Sequence, residues 1–363
     1  MLAVLIWRAC DVTNAYLLGL HWIEQEGLAL KLFDERESRA AMDPLELVRI
    51  NLFSPMVTAF VLGIVARLIK SDLNLPESLY ASLTIYLLLA IGLKGGAGLA
   101  QSSFGELALP LLATLLLGVG IPIWSYVILR RLGKFDIANA AAIAAHYGSV
   151  SAVTFTASQT FLNTIGEPFE GFMPTLLTVL EVPAIAVALV IARMQLGSSG
   201  SVAEVAHEVL TGKGIVLLVG GMVMGYLAGA EGIQLVAPFF IDPFQGALTL
   251  FLLELGIVTA GQLRSIITVG PFLIGFGIVM PVLHGLLGVV LGGLAGLSPG
   301  GCTILAVLAA SASYIAAPAA VRIALPQANP GYYLTAALGI TFPFNLVFGI
   351  PLYYNVALWL WGG

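Results

Sequence analysis

The stretch Leu305–Pro326, LAVLAASASYIAAPAAVRIALP, decides how the rest of the chain is read. It opens as an apolar helix and then meets Ser311, Ser313, Tyr314 and Pro318 in quick succession. Serines at i and i+2 cannot share a face of a regular helix, because neighbours on one face are three or four residues apart. Both can point into one cavity where the backbone is unwound. A bilayer tolerates unwound backbone only where protein buries it or a water-filled cavity lines it. Small polar residues and a proline also let two membrane helices pack closely, and this stretch alone does not separate a packing seam from a site.

A partner segment shifts the balance. Ala140–Gln159, AAAIAAHYGSVSAVTFTASQ, carries Ser149 and Ser151 at the spacing of Ser311 and Ser313, 162 residues earlier. The same offset takes Glu167-Pro168 to Asn329-Pro330, and Gly63 in an early apolar run to Gly225 in a later one. Elsewhere it slips by a few residues, as from Leu83-Thr84 to Leu248-Thr249. The chain reads as two related halves with an interrupted helix at the same place in each. Paired, interrupted hydrophobic segments point to the binding site of a transporter.

Composition sets the class. Hydrophobic residues make up 59% and charged ones only 10%, with a mean hydropathy of +0.99. A soluble domain carries about 25% charged residues, so this chain is expected to be an all-α polytopic membrane protein whose partner is the lipid bilayer. The net charge of −5 speaks against a nucleic-acid partner. Cys10 and Cys302 give neither a disulfide framework nor a metal-ligand spacing, and Cys302 reads as a small apolar filler.

Residues 1–41 read as an N-terminal extension, disordered or interfacial. Their apolar run Tyr16–Ile23 is far short of the roughly 20 residues a span needs. From Pro55 onward ten apolar spans are expected, at about 55–70, 78–98, 107–131, 138–160, 171–194, 213–230, 244–263, 270–296, 301–323 and 331–360. Residues 42–196 form a first five-helix repeat and 213–363 a second. The 197–212 linker reads as a flexible turn leading into a short amphipathic helix. Cytoplasmic loops collect lysine and arginine. One assignment places Arg67, Lys70, Arg130, Arg131, Lys134, Arg193, Lys213, Arg264 and Arg322 on one side and leaves Arg49 and Lys94 on the other. The richer side is then cytoplasmic, with the 197–212 loop, and both ends of the core lie outside. Two odd-numbered repeats in tandem must enter the membrane with opposite orientations. The repeat is therefore inverted, and the two interrupted helices are expected to cross near the midplane. Their half-helix N-termini would face an anion there, each worth about half a positive charge. Freed carbonyls and hydroxyls could coordinate a hard cation such as sodium.

SASYIAAP, followed by ALPQANPGYYLTAALGITFPFNLVFGIPLYY, resembles the ninth and tenth spans of the SbtA-type sodium-dependent bicarbonate transporters. The similarity extends to GSVSAVTFTA, to EVPA at Glu181–Ala184, to IGLKGG at Ile91–Gly96 and to PVLHG at Pro281–Gly285, and covers about Met42 to the C-terminus. The resemblance implies a ten-span inverted-repeat homo-oligomer, commonly a trimer, in a bacterial plasma membrane, with a core domain moving against a gate domain. It implies sodium-driven bicarbonate uptake by symport, with no cofactor other than Na+ as the coupling ion. Carried over, Ser149, Ser151 and Thr154 stand in the first interruption, Ser311 and Ser313 in the second, and amides near Ala152 and Ala316 help hold the anion. The chain departs from the family where members resemble SSSDISGPP. An acid position is Tyr314 here and a glycine is Ala317. The long insertion some members carry between the fifth and sixth spans is absent, leaving a regulatory partner uncertain.

Ionisable residues inside a span are costly and usually mark a pathway. Glu181 lies just before Pro183, which removes a backbone donor and frees a carbonyl, so carboxylate and carbonyl together could hold a cation or a proton. Its alternative is a plain hydrogen bond at a kink. Glu254, within LTLFLLELGIVTA, could sit at an interface between moving domains or pair with Lys94 or a histidine. His146 and His284 read as packed and hydrogen-bonded. Tyr353, Tyr354, Trp359 and Trp361 read as an interfacial aromatic belt. An enzyme is not expected, since neither HExxH, GxSxG nor paired aspartates occur. The remaining alternatives are a proton-coupled transporter of another small solute and a non-transporting membrane sensor on the same fold.

Overall fold

The computed structural model describes residues 43–196, 207 and 210–362. The 1–41 extension and most of the 197–212 linker lie outside the described residues, as does the side chain of Arg264. The chain divides into two units, Met1–Glu46 and Leu47–Gly363. Of the first, only the opening turn of α1 is described; the helices and contacts of the site belong to the second.

Every element among the described residues is helical. The order runs α1 (Pro44–Leu52), α2 (Pro55–Leu68), α3 (Glu77–Ala100), α4 (Phe104–Arg131), α5 (Ile137–Gly148), α6 (Ala152–Thr164) and α7 (Met173–Leu196). It continues with α8 (Lys213–Phe240), α9 (Phe244–Thr268), α10 (Gly270–Leu294), α11 (Pro299–Ala310), α12 (Ala316–Ala324) and α13 (Pro330–Trp361). Seven helices, α3, α4, α7, α8, α9, α10 and α13, are long and apolar enough to cross a bilayer. The α1–α2 pair is bent by 61° and would make an eighth if counted as one span. The chain is an integral membrane protein.

The bend ahead of α2 follows from local chemistry, with Pro55 at the first helical position and Ser54 accepting from the Val57 amide to cap it. Helix α2 covers residues 55–68 of the expected 55–70 stretch, is only 14 residues long, and is preceded by α1. In α8 the left-handed φ of 62° at Gly229 interrupts the regular helical path, a conformation that glycine adopts without strain. In α13 two π-helical stretches, Thr335–Thr341 and Asn345–Gly349, each end two residues before a proline, Pro343 and Pro351. A proline has no amide to give the carbonyl four residues back. Asn51 answers part of that debt from α1 by donating its side-chain amide to the Leu346 and Val347 carbonyls. In α10 the carbonyl of Gly277, released by Pro281, accepts the Thr341 hydroxyl at 2.7 Å, and Tyr147 donates to the same hydroxyl at 2.6 Å.

The remaining two apolar segments are broken. Helix α5 is 12 residues and α6 is 13; α11 is 12 and α12 is nine. None of them reaches the roughly 20 residues of a full span. Helices α5 and α11 correspond residue for residue at the offset of 162, including their caps, Asp136 and Ser298. The first break is Ser149–Ser151, and the second, Ser311–Ile315, is two residues longer.

Four of the helices pack in two close pairs. Helix α2 lies along α9, and α3 lies along α8. Glycines make both crossings backbone to backbone. A Cβ on Gly63 would overlap the Leu253 carbonyl, and one on Gly256 the Phe60 carbonyl. A Cβ on Gly225 would overlap the Leu93 carbonyl, and one on Gly96 that of Met222. Polar contacts repeat the exchange. The Asn329 amide donates to Asn139 at 2.7 Å, and the Ser298 amide donates to Glu170 at 2.6 Å.

These crossings set a stability prediction. Gly225→Leu must push α8 away from α3, with the cost of overpacking, about 1–3 kcal/mol or more. Gly220→Leu, in the same helix with open space around it, is the control. The melting temperature of detergent-solubilised protein is expected to fall for Gly225→Leu and to hold for Gly220→Leu.

Candidate functional site

A broken helix leaves carbonyls at one end and amides at the other with no intrahelical partner. At the first break the backbone turns extended at Ser149 (φ −92°, ψ 177°) and Ser151 (φ −110°, ψ 108°). Ser151 Oγ accepts the Thr154 amide at 3.1 Å and the Thr154 hydroxyl at 2.8 Å, which caps α6. At the second break Ser311 is likewise extended, and its hydroxyl returns to the Val307 carbonyl at 2.6 Å. Ser313 Oγ accepts the Ala317 amide at 3.2 Å. The last carbonyl of α11, on Ala310, takes the Asn345 side-chain amide at 2.8 Å. Tyr353 in turn holds Asn345 Oδ1 at 3.0 Å.

The two breaks also bond to each other. The Ser313 amide donates to the His146 carbonyl near the end of α5, at 2.8 Å. The Ser151 hydroxyl donates to the Tyr314 hydroxyl at 3.0 Å. Tyr314 is steadied by an edge-on contact with Phe342, 5.3 Å between ring centres.

Space opens on one side of this junction. A cavity of about 540 Å³ is lined by Glu77, Tyr80 and Thr84 of α3, by Lys213 at the start of α8, and by Tyr314 and Ala316. Glu77 and Lys213 are exposed, so this end of the cavity reaches the surface. Next to it a small enclosed cleft is bounded by Ser151, Ala152, Glu181, Tyr314 and Ala316. A third, apolar pocket runs from Ala152 and Thr156 towards Leu87 of α3 and Phe251 of α9. All three touch the first residue of α6 or of α12, or both. They lie between the broken helices and the group formed by α3, α8 and α9.

Residues 55–358 match the Na+-dependent bicarbonate transporter superfamily. The chain belongs to this superfamily. No curated protein matches it at a significant level.

For a member of this superfamily, the geometry divides the residues singled out in the sequence. Ser151, Ala152, Tyr314, Ala316 and Glu181 border the cavity or its cleft. Thr154 donates its amide and hydroxyl to Ser151, Ser313 accepts the Ala317 amide, and Ser311 is bonded back into α11. Ser149 is fully buried, and its hydroxyl has no hydrogen-bond partner among the described residues. Ser311 and Ser313 each bond to backbone at their own break, and neither lines the cavity or its cleft. Glu254 does not line the cavity or its cleft; it accepts the Leu75 amide at 3.2 Å and is a charged neighbour of the cavity-lining Tyr80. Of its two alternatives, a pairing with Lys94 or a histidine is not seen among the described residues. Lys94 lies over the Phe244 ring, 4.7 Å from its centre. His146 is packed as expected, at 2.6 Å from the Ala142 carbonyl and stacked on Tyr333, and His284 accepts from Trp124 at 2.8 Å.

The aromatic belt is corrected in part. Tyr353 and Tyr354 are wholly buried, and Tyr354 donates to Glu167 at 3.1 Å. Trp361 rests on Gly293, whereas Trp359, 82% exposed, faces outward. Tyr80, Glu77 and Lys213 line the cavity without having been expected there. They come from the first turns of helices far away in sequence, and nothing in their local pattern signals a cavity.

Asn345 provides the test of the second break. Asn345→Leu leaves the Ala310 carbonyl without its donor in a buried position, which costs about 1–3 kcal/mol. The melting temperature is expected to drop.

Proposed function

We propose that the chain is a secondary active transporter that couples sodium to the uptake of bicarbonate or a similar small anion. The observation that carries this reading is the meeting of two helix N-termini, at Ala152 and Ala316, on one cleft. Each contributes roughly half a positive charge, so together they match a monovalent anion at about unit charge. The family supplies sodium and bicarbonate. Lys213 and Glu77 stand together at the exposed end of the cavity, one cation against one anion.

In this reading the broken segments α5–α6 and α11–α12 each count as one span and bring the total to ten, in two inverted five-helix repeats. The reciprocal pairings, α2 with α9 and α3 with α8, support that arrangement. So do the matched bounds of α5 and α11. The glycine-locked group α2, α3, α8 and α9 serves as the gate, and the broken helices with α4, α7, α10 and α13 as the moving core. Alternating access is then an elevator-like shift of the core past the cavity-lining faces of α3, α8 and α9. By the charge bias of the loops, the cavity opens to the cytoplasm, since the starts of α3 and α8 fall on that side.

Purified full-length protein in proteoliposomes is expected to accumulate labelled bicarbonate when an inward sodium gradient is imposed. Absence of uptake under any sodium gradient, with folded protein, removes the reading. Uptake that follows pH and ignores sodium moves it to a proton-coupled carrier. Tyr314→Asp places a carboxylate beside Ser151, and the half-saturating sodium concentration is expected to fall about tenfold, the equivalent of ~1.4 kcal/mol.

A further inference from the structure

Resting on the anion-transport reading, we propose that Glu181 is an internal anion, whose carboxylate competes with the transported anion for the positive ends of α6 and α12. Glu181 is 6% exposed, and its Oε2 has no hydrogen-bond partner among the described residues. It lines the same enclosed cleft as Ala152 and Ala316, the first residues of the two half-helices. Among the described residues, no lysine or arginine lines that cleft. Its two hydroxyls, on Ser151 and Tyr314, are bonded to each other. Lys213 belongs to the larger cavity next to it. A buried carboxylate is unfavourable without compensation, and the positive groups that border the same cleft are the two helix N-termini.

Two negative charges cannot share that compensation. An arriving anion is drawn by the helix ends and repelled by Glu181, so its affinity is the difference of the two effects. That difference has a use, since a carrier must release its solute as well as bind it. With the solute gone, the tethered carboxylate takes up the positive ends, and the empty site is not left with uncompensated charge. The other described walls, Leu88, Val150, Gly214 and Ile315, are uncharged and offer no competing partner.

The test uses full-length protein in proteoliposomes with equal sodium on both sides, measuring exchange of labelled against unlabelled bicarbonate. Glu181→Gln and Glu181→Met remove the charge at similar volume. The half-saturating bicarbonate concentration is expected to fall about tenfold in both. Glu181→Asp keeps the charge and withdraws it by one methylene, and a smaller fall of about threefold is expected. This variant decides the matter should the neutral ones not hold their fold. A native chain that exchanges bicarbonate while the folded variants match it, or bind more weakly, removes Glu181 from the mechanism and leaves the transport reading standing. A native chain that exchanges no anion takes down both.

Discussion

Inside a bilayer there is no water to accept a backbone hydrogen bond, so every peptide group must find its partner within the protein. The fold turns on how that demand is met at two places where a helix stops halfway. His146 gives its carbonyl to the Ser313 amide, and Ala310 gives its carbonyl to Asn345. Thr154 and Ala317 place their amides on serine hydroxyls. Each such bond contributes about 0.5–1.5 kcal/mol net, and each left unmade costs about 1–3 kcal/mol. Of these bonds, the one from the Ser313 amide to the His146 carbonyl ties the two breaks to each other.

The same demand accounts for the prolines. Pro281 and Pro351 each leave a carbonyl without its helical amide, and in both cases a side chain from another helix arrives to replace it. Thr341, backed by Tyr147, serves Gly277, and Asn51 serves Val347. These two prolines act as fixed attachment points between helices, and the bonds that answer them are long-range in sequence. That ties α10 to α13, and α13 back to α1.

The breaks are legible in the sequence because their signal is local and duplicated: two serines at a spacing no helix face permits, copied 162 residues on. The family likeness is legible for the same reason, in the motif around Tyr314. The orientation of individual hydroxyls is not. A serine at a break can serve backbone or solute, and the choice depends on the extended ψ at that residue and on which neighbour lacks a partner. Ser311 and Ser313 go to backbone; Ser151 serves both its own cap and Tyr314. The aromatic tail misleads because aromatic residues near a chain end suit a membrane interface as well as a core. Asn345 and Glu167, distant in sequence from Tyr353 and Tyr354 or unmarked by any pattern, are what draw those rings inside.

The glycine seams carry a consequence for biosynthesis. Helices α2 and α3 leave the ribosome long before α8 and α9, the partners whose carbonyls fill their glycine notches. Until the second half is inserted, those notched surfaces face lipid, which cannot enter them as a neighbouring backbone does. The nascent first half is thus an assembly intermediate with a ready-made docking face, and completion of the chain is what closes it.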